Sequence, residues 1–336
     1  MSKMRLLVLR LWEAVKQNWK PILMLIIISP FMGEVLSGAT SIFIFFSPGF
    51  FFPYVVLVYG FPALVVREVA MRRKLGPLGL MFLGVAYGLY HEGLFANTIL
   101  YPLGSSMIDV FSNYGLIESI RIPWTLVITF WHGLYSVVFP IFIVQYLLPQ
   151  KAKEQWLPLK VTWALGIFCM ATATLSFSGI FGNRQIVNMN LRLIHFAFII
   201  IAMLVIWFAA GKLPRFPRIT SDQGGAFSLK PFLFGVLQYA LVLIVPQLLA
   251  GLKISLVLFI LYFIIFVILN IRIVSRISEA TNKKAVLFVL GGETAQSLLF
   301  VVVGALSGDI ILAVVSFVFL VVFITATIRL KRKTHS

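Results

Sequence analysis

Ten apolar stretches, each long enough to cross a bilayer as a helix, restrict what this chain can fold into more than any other feature. They run over approximately 21–38, 52–68, 78–101, 124–148, 160–180, 192–211, 231–250, 253–271, 285–306 and 308–328. A helix rises about 1.5 Å per residue and a bilayer core is about 30 Å thick, so such runs match a membrane span. Of the 336 residues 60% are hydrophobic and 12% charged, against about 45–50% and about 25% in soluble domains. No soluble core of this size hides so much apolar surface. The expected fold is all-α, a polytopic transmembrane bundle of about ten helices. Its first partner is the lipid bilayer and its location a cell membrane.

The net charge of +17 raises the question of nucleic acid, but the basic residues sit at the ends of the apolar runs. With the N-terminus in the cytoplasm, 24 of the 28 Lys and Arg fall on the inner side, leaving Arg121, Arg184, Arg192 and Lys253. That asymmetry is the positive-inside pattern. It places both termini in the cytoplasm and excludes nucleic acid as a partner. Residues 1–20 read as a basic amphipathic segment on the membrane surface, 21–328 as one transmembrane domain, and 329–336 as a basic tail. The lone Cys169 permits no intrachain disulfide and reads as a buried thiol. No Walker-type glycine loop is present, so the chain does not itself hydrolyse ATP.

Ionisable residues inside such runs are costly and face a protein interior, a wet cavity or a partner. The third run holds His91 and Glu92 side by side, with Gly84, Gly88, Glu92 and Ala96 at intervals of four. Small residues at that spacing let helices approach, so Glu92 should point at another helix. The fourth run answers with Thr125, Thr129, His132, Gly133 and Ser136. Glu92 and His132 have matched depths on consecutive helices, which predicts direct or water-mediated contact. A hydrogen-bonded pair fixing helix register is the plain reading, and a reaction site the functional one. Adjacent helical residues diverge by about 100°, so His91 and Glu92 look poorly placed to ligate one ion together. In the ninth run Glu293, Gln296 and Ser297 share a face, behind Gly291 and Gly292. At similar depth, Glu293 and Glu92 are expected to line one midplane cavity, with Asn97, Ser136 and Gln296 as further substrate- or ion-binding residues. Glu34, Glu68, Arg67 and Asp309 read as boundary residues, His195 as an interfacial histidine, and Trp124 and Trp156 as interface anchors.

The stretch His91-Glu92-Gly93-Leu94-Phe95-Ala96-Asn97 resembles the first motif of the CPBP intramembrane metalloproteases, relatives of the CAAX prenyl endopeptidases. That motif is two adjacent glutamates followed by three residues and an arginine, often with Phe before it. His91 stands in place of the first glutamate, and Ala96 in place of the arginine. A later family motif, Phe-x-x-x-His, is met at His132 with Ile128 in the Phe position. The last, His-x-x-x-Asn or Asp, is not met, because His195 is followed by Ile199. The resemblance covers Gly84 to Pro140. It implies a hydrolase in which Glu92, His132 and His91 are catalytic and a divalent metal, if held, is bound by the same three residues. The surrounding pattern also resembles uncharacterised prokaryotic polytopic membrane proteins.

Two further readings stay open. A proton- or cation-coupled transporter would use Glu92, His132 and Glu293 at a midplane site, favoured by runs interrupted at Pro30, Pro62, Pro246 and Gly291-Gly292. A non-catalytic membrane subunit would use none of them.

Overall fold

The computed structural model describes residues 13, 15–100, 109–178, 189–213, 228–275 and 283–332, the side chains of 189–192 and 332 excepted. Most of the expected N-terminal amphipathic segment, Arg184 and the last residues of the tail therefore lie outside the described residues.

The chain is an all-α polytopic bundle. Helix α1 runs over Trp19–Pro30 and continues into a wide π turn at Phe31–Val35. It is followed by α2 (Pro48–Arg72), α3 (Pro77–Phe95), α4 (Ile122–Leu147) and α5 (Leu159–Phe177). Then come α6 (Met189–Ala210), α7 (Lys230–Gly251), α8 (Leu256–Ser275), α9 (Lys283–Ser307) and α10 (Ile310–Arg332). Among the described residues, nine of these are long and apolar enough to cross a membrane. The sequence leads one to expect ten, and the shortfall is α1, whose 12 α-helical residues and five-residue π turn reach only about 25 Å. Among the described residues the one sheet is a two-stranded hairpin, β1 (Leu116–Ile117) against β2 (Ile120–Arg121), just ahead of α4.

Burial separates centre from rim. The apolar window of α4 is 94% buried within the protein and that of α3 89%, whereas α5, α6 and α10 reach only 17%. Helix α8 shows Val257, Leu258, Leu261, Ile264 and Ile265 on its outer side, as its all-round apolar sequence implies. Helices α3 and α4 are drawn together by glycines. A Cβ at Gly84 would lie 2.5 Å from the Gly133 carbonyl oxygen, and one at Gly88 2.5 Å from that of Thr129. Both are far inside contact distance, so any side chain there pushes the pair apart. Helices α7 and α9 meet the same way, at Gly235 against Phe288 and Gly291 against Phe232.

Prolines shape the interior. A proline lacks the N–H that would close the turn before it, and a freed carbonyl in a membrane must find another donor. Pro62, Pro140 and Pro246 each follow a π segment, at Phe51–Gly60, His132–Val138 and Ala240–Ile244. The Ser136 carbonyl, four residues before Pro140, accepts from Ser29 Oγ at 2.5 Å. The Leu241 carbonyl, five before Pro246, accepts from the Tyr262 hydroxyl. The broken turns before Pro140 and Pro246 are thus each tied to a neighbouring helix.

Two tryptophans depart from the interface-anchor reading. Trp124 is buried and donates through Nε1 to Thr98 Oγ1 at 3.0 Å. Trp156 is buried beneath the Arg67 guanidinium, 3.7 Å from its ring centre. Arg67 and Glu68 are not boundary residues either. They form a buried 2.5 Å ion pair, and Glu68 also accepts from the Trp156 backbone N–H at 2.9 Å.

Candidate functional site

Four helices converge on one polar centre, and each brings its side chains from a π segment. These are Phe31–Val35 of α1 with Glu34, Phe51–Gly60 of α2 with Tyr59, Tyr90–Phe95 of α3 with His91 and Glu92, and His132–Val138 of α4 with His132 and Ser136. A π turn widens the helix locally, re-aims side chains, and recurs at functional sites.

Glu92 stands at the middle. Its Oε1 accepts from His132 Nε2 at 2.6 Å and from His91 Nδ1 at 2.8 Å, and its Oε2 accepts from the Thr98 hydroxyl. The expected contact between Glu92 and His132 is therefore direct. His91 joins it despite being the adjacent residue, contrary to the divergence an ordinary α-helix would impose. The side chains close on a common point across the π turn, with the two imidazole centroids 4.4 Å apart. His132 is oriented from behind by Ser136 Oγ, 2.9 Å from its Nδ1. His91 Nε2 is buried without a hydrogen-bond partner.

Glu34, expected at a boundary, is instead buried in the wall of this centre. It accepts from the Tyr59 hydroxyl at 2.6 Å and from Thr40 Oγ1 at 2.5 Å. The Tyr59 ring lies 4.5 Å from that of His91 and 5.9 Å from that of His132. Gly33 lets α1 in: a Cβ there would meet Ser136 Oγ at 2.6 Å and the Tyr59 ring at 2.8 Å. The sequence signal for Glu34 is an acid one residue after a glycine, four residues past Pro30, in an otherwise apolar run.

One donor atom each from His91, Glu92 and His132 lie within 4.8 Å of one another. Two imidazole nitrogens and one carboxylate oxygen are the donor set of many catalytic zinc sites, and a second hydrogen bond on a ligand histidine is their usual support. The set fits a divalent metal, with the Ser136 hydroxyl supplying that support and His91 Nε2 free of other obligations.

The remaining expected site residues fall elsewhere. Asn97 ends α3 with a positive φ of 58°, its Nδ2 donating to the Phe95 carbonyl at 3.2 Å. Asparagine tolerates that conformation, so Asn97 is a helix terminator. His195 approaches the Glu118 carbonyl through Nε2 at 2.8 Å. Asp309 Oδ1 accepts from the Leu312 N–H at 3.0 Å at the start of α10. Glu293 and Gln296 are buried, but no hydrogen bond, ion pair or ring contact among the described residues links them to Glu92. The two carboxylates are therefore not joined by a direct bond. Glu293 lies near enough to Tyr135 and Tyr239 to interact electrostatically with both, and the Tyr135 hydroxyl donates to Gln238.

The profile of an uncharacterized membrane protein family matches residues 23–332. The chain belongs to that family. Its match spans all ten helices, from α1 to α10, and so takes in the whole polar centre. No curated protein and no solved structure matches the chain. The family's profile is not that of the CPBP proteases, so the likeness to them rests on the motif residues alone.

Proposed function

We propose that this integral membrane protein is an intramembrane hydrolase of the metal-assisted kind, with its reaction centre at His91, Glu92 and His132. The observation that carries the reading is the convergence of these three buried side chains to within 4.8 Å. Three ionisable groups gathered at membrane depth are costly unless they serve a purpose there. The motif likeness to the CPBP family supports the same class of chemistry.

In this reading His91, Glu92 and His132 hold the metal. A divalent ion so bound supplies a water of much lowered pKa and polarises a carbonyl. The chain's own groups do the rest. Ser136 holds the His132 ring by its Nδ1. Thr98, backed by Trp124, keeps Glu92 Oε2 in place. Glu34 is the remaining carboxylate of the centre. Glu34, which accepts from the Tyr59 hydroxyl, would take the proton of the attacking water as the water oxygen bonds to the substrate carbonyl carbon. It would pass that proton to the leaving amine nitrogen as the C–N bond breaks. The packed glycine faces of α3 and α4 exclude lipid and bulk water from the centre.

The test is peptide cleavage by purified protein in liposomes, with and without a membrane-permeant chelator. Cleavage is expected to stop on chelation and in Glu92→Gln or His132→Ala, and to persist in Glu293→Gln. Cleavage that survives both site substitutions would overturn the assignment.

A further inference from the structure

We propose that the face of α9 around Glu293 is a binding site for a monovalent alkali cation, separate from the hydrolytic centre. Glu293 lies ten residues into a 25-residue span, about 15 Å from its end and so near the bilayer midplane. Its side chain is fully buried, and neither carboxylate oxygen has a hydrogen-bond partner. One helical turn later, three and four residues on, Gln296 and Ser297 are also buried, with Gln296 Oε1, Gln296 Nε2 and Ser297 Oγ unpartnered. Helix α7 adds buried Gln238 and Tyr239, whose Nε2 and hydroxyl are unpartnered too. The Tyr135 hydroxyl of α4 donates to Gln238 Oε1 at 3.2 Å and stands 3.1 Å from where a Cβ at Gly292 would be.

Buried polar groups are almost always paired, and this many unpaired atoms on facing helices need a common partner. The chemistry of the donors says which kind. Glu293, Gln296 Oε1 and Ser297 Oγ are hard oxygen ligands, and no sulfur or imidazole joins them, so the fit is to a hard cation. No ion pair reaches Glu293 among the described residues, and the cluster contains one carboxylate. One carboxylate balances one positive charge, which favours a monovalent ion over calcium or magnesium. The Tyr239 hydroxyl oxygen can accept from a water that a partly hydrated ion keeps, and the Nε2 donors of Gln238 and Gln296 can serve that water's remaining lone pair. The close approach of α7 and α9 at Gly235 and Gly291 sets the two halves of the cluster face to face. Substrate and coupling-ion sites near the bilayer midplane recur in polytopic transporters.

A ligand that binds only the folded state raises its stability with the logarithm of concentration. Purified full-length protein in detergent is therefore unfolded thermally across a series of sodium or potassium chloride concentrations, with choline chloride holding ionic strength constant. Infrared difference spectra on adding each ion report whether Glu293 is carboxylate or carboxylic acid. The expected result is a midpoint that climbs with sodium or potassium but not with choline, the two ions ranking their own affinities. A carboxylate band absent from Glu293→Gln should appear with it, and the response should remain in Glu92→Gln. Should Glu293→Gln not fold, Ser297→Ala supplies the test, raising the half-maximal concentration at least about tenfold as a ligand is lost. An equal response to choline, an unchanged response in both α9 variants, or a carboxyl that stays protonated at every salt concentration would overturn the proposal.

Discussion

Glu92 and Glu293 are both carboxylates enclosed at membrane depth, and their surroundings are opposite. Glu92 is held by two imidazoles and a hydroxyl, and those partners are held in turn by Ser136 and Trp124. Glu293 is enclosed just as fully, and its oxygens meet no donor. The first environment is complete within the protein, and its donor set also suits a divalent metal. The second is incomplete by itself, because a buried charge without a partner is expensive and burial alone favours the neutral acid or a bound counter-ion. Depth and residue type are thus poor guides to the role of an intramembrane acid. The donors of the neighbouring helices decide it.

Topology gives an all-or-none way to break the comparison, since it fixes which side each acid lies nearer. Reporter fusions after Lys74, Gln150, Arg218 and Lys284 should read cytoplasmic, and fusions near Asn113 and Asn183 external. An external reading at Lys284 would invert α9 and place Glu293 in the opposite half of the bilayer.

Removing a partner of Glu92 should have the next largest effect. His132→Ala strips one imidazole from a buried carboxylate, and losses of about 3–5 kcal/mol are typical when a buried charged pair is broken. Glu293→Gln removes a carboxylate that has no partner to lose, so it should change stability by less than about 1 kcal/mol in buffer free of sodium and potassium. Unfolding in mixed detergent micelles measures both. Equal destabilisation by the two variants would erase the distinction drawn between the sites.

A smaller effect should follow from the frame rather than the site. Gly88→Val drives a side chain into the Thr129 backbone, and overpacking of that kind costs about 1–3 kcal/mol. Gly49→Ala, where nothing lies within 4 Å, should change stability by less than about 0.5 kcal/mol. The same unfolding assay ranks them, and a neutral Gly88→Val would mean that α3 and α4 are not in backbone contact.

Much of this was legible in the sequence, and the failures have identifiable causes. Apolar run length marks the spans, because a bilayer imposes one dimension on every helix. The Glu92–His132 contact follows from matched depth and small-residue spacing, both local properties of two consecutive runs. The joining of His91 was not legible, since it depends on a π turn that helical periodicity does not anticipate. Glu34 was hidden by its place near the end of a short run, where an acid ordinarily means a boundary, and only the tertiary approach of α1 through Gly33 brings it in. Glu293 stood out as a buried acid, but its neighbours Gln238 and Tyr239 depend on the packing of α7 against α9, which a linear sequence does not give. Trp124 and Trp156 misled because interface enrichment is a statistical tendency, and here a buried hydroxyl and a buried guanidinium claim the indoles.

The central claim is that His91, Glu92 and His132 together hold a divalent metal, and metal content tests it without any knowledge of substrate. Protein purified after growth with added zinc, manganese or iron is freed of loose ions and analysed by mass spectrometry for bound metal per chain. One of these metals should be near stoichiometric in the wild type and in Glu293→Gln, and should fall to background in His132→Ala and Glu92→Ala. Folded wild-type protein carrying no more divalent metal than folded His132→Ala would contradict the account.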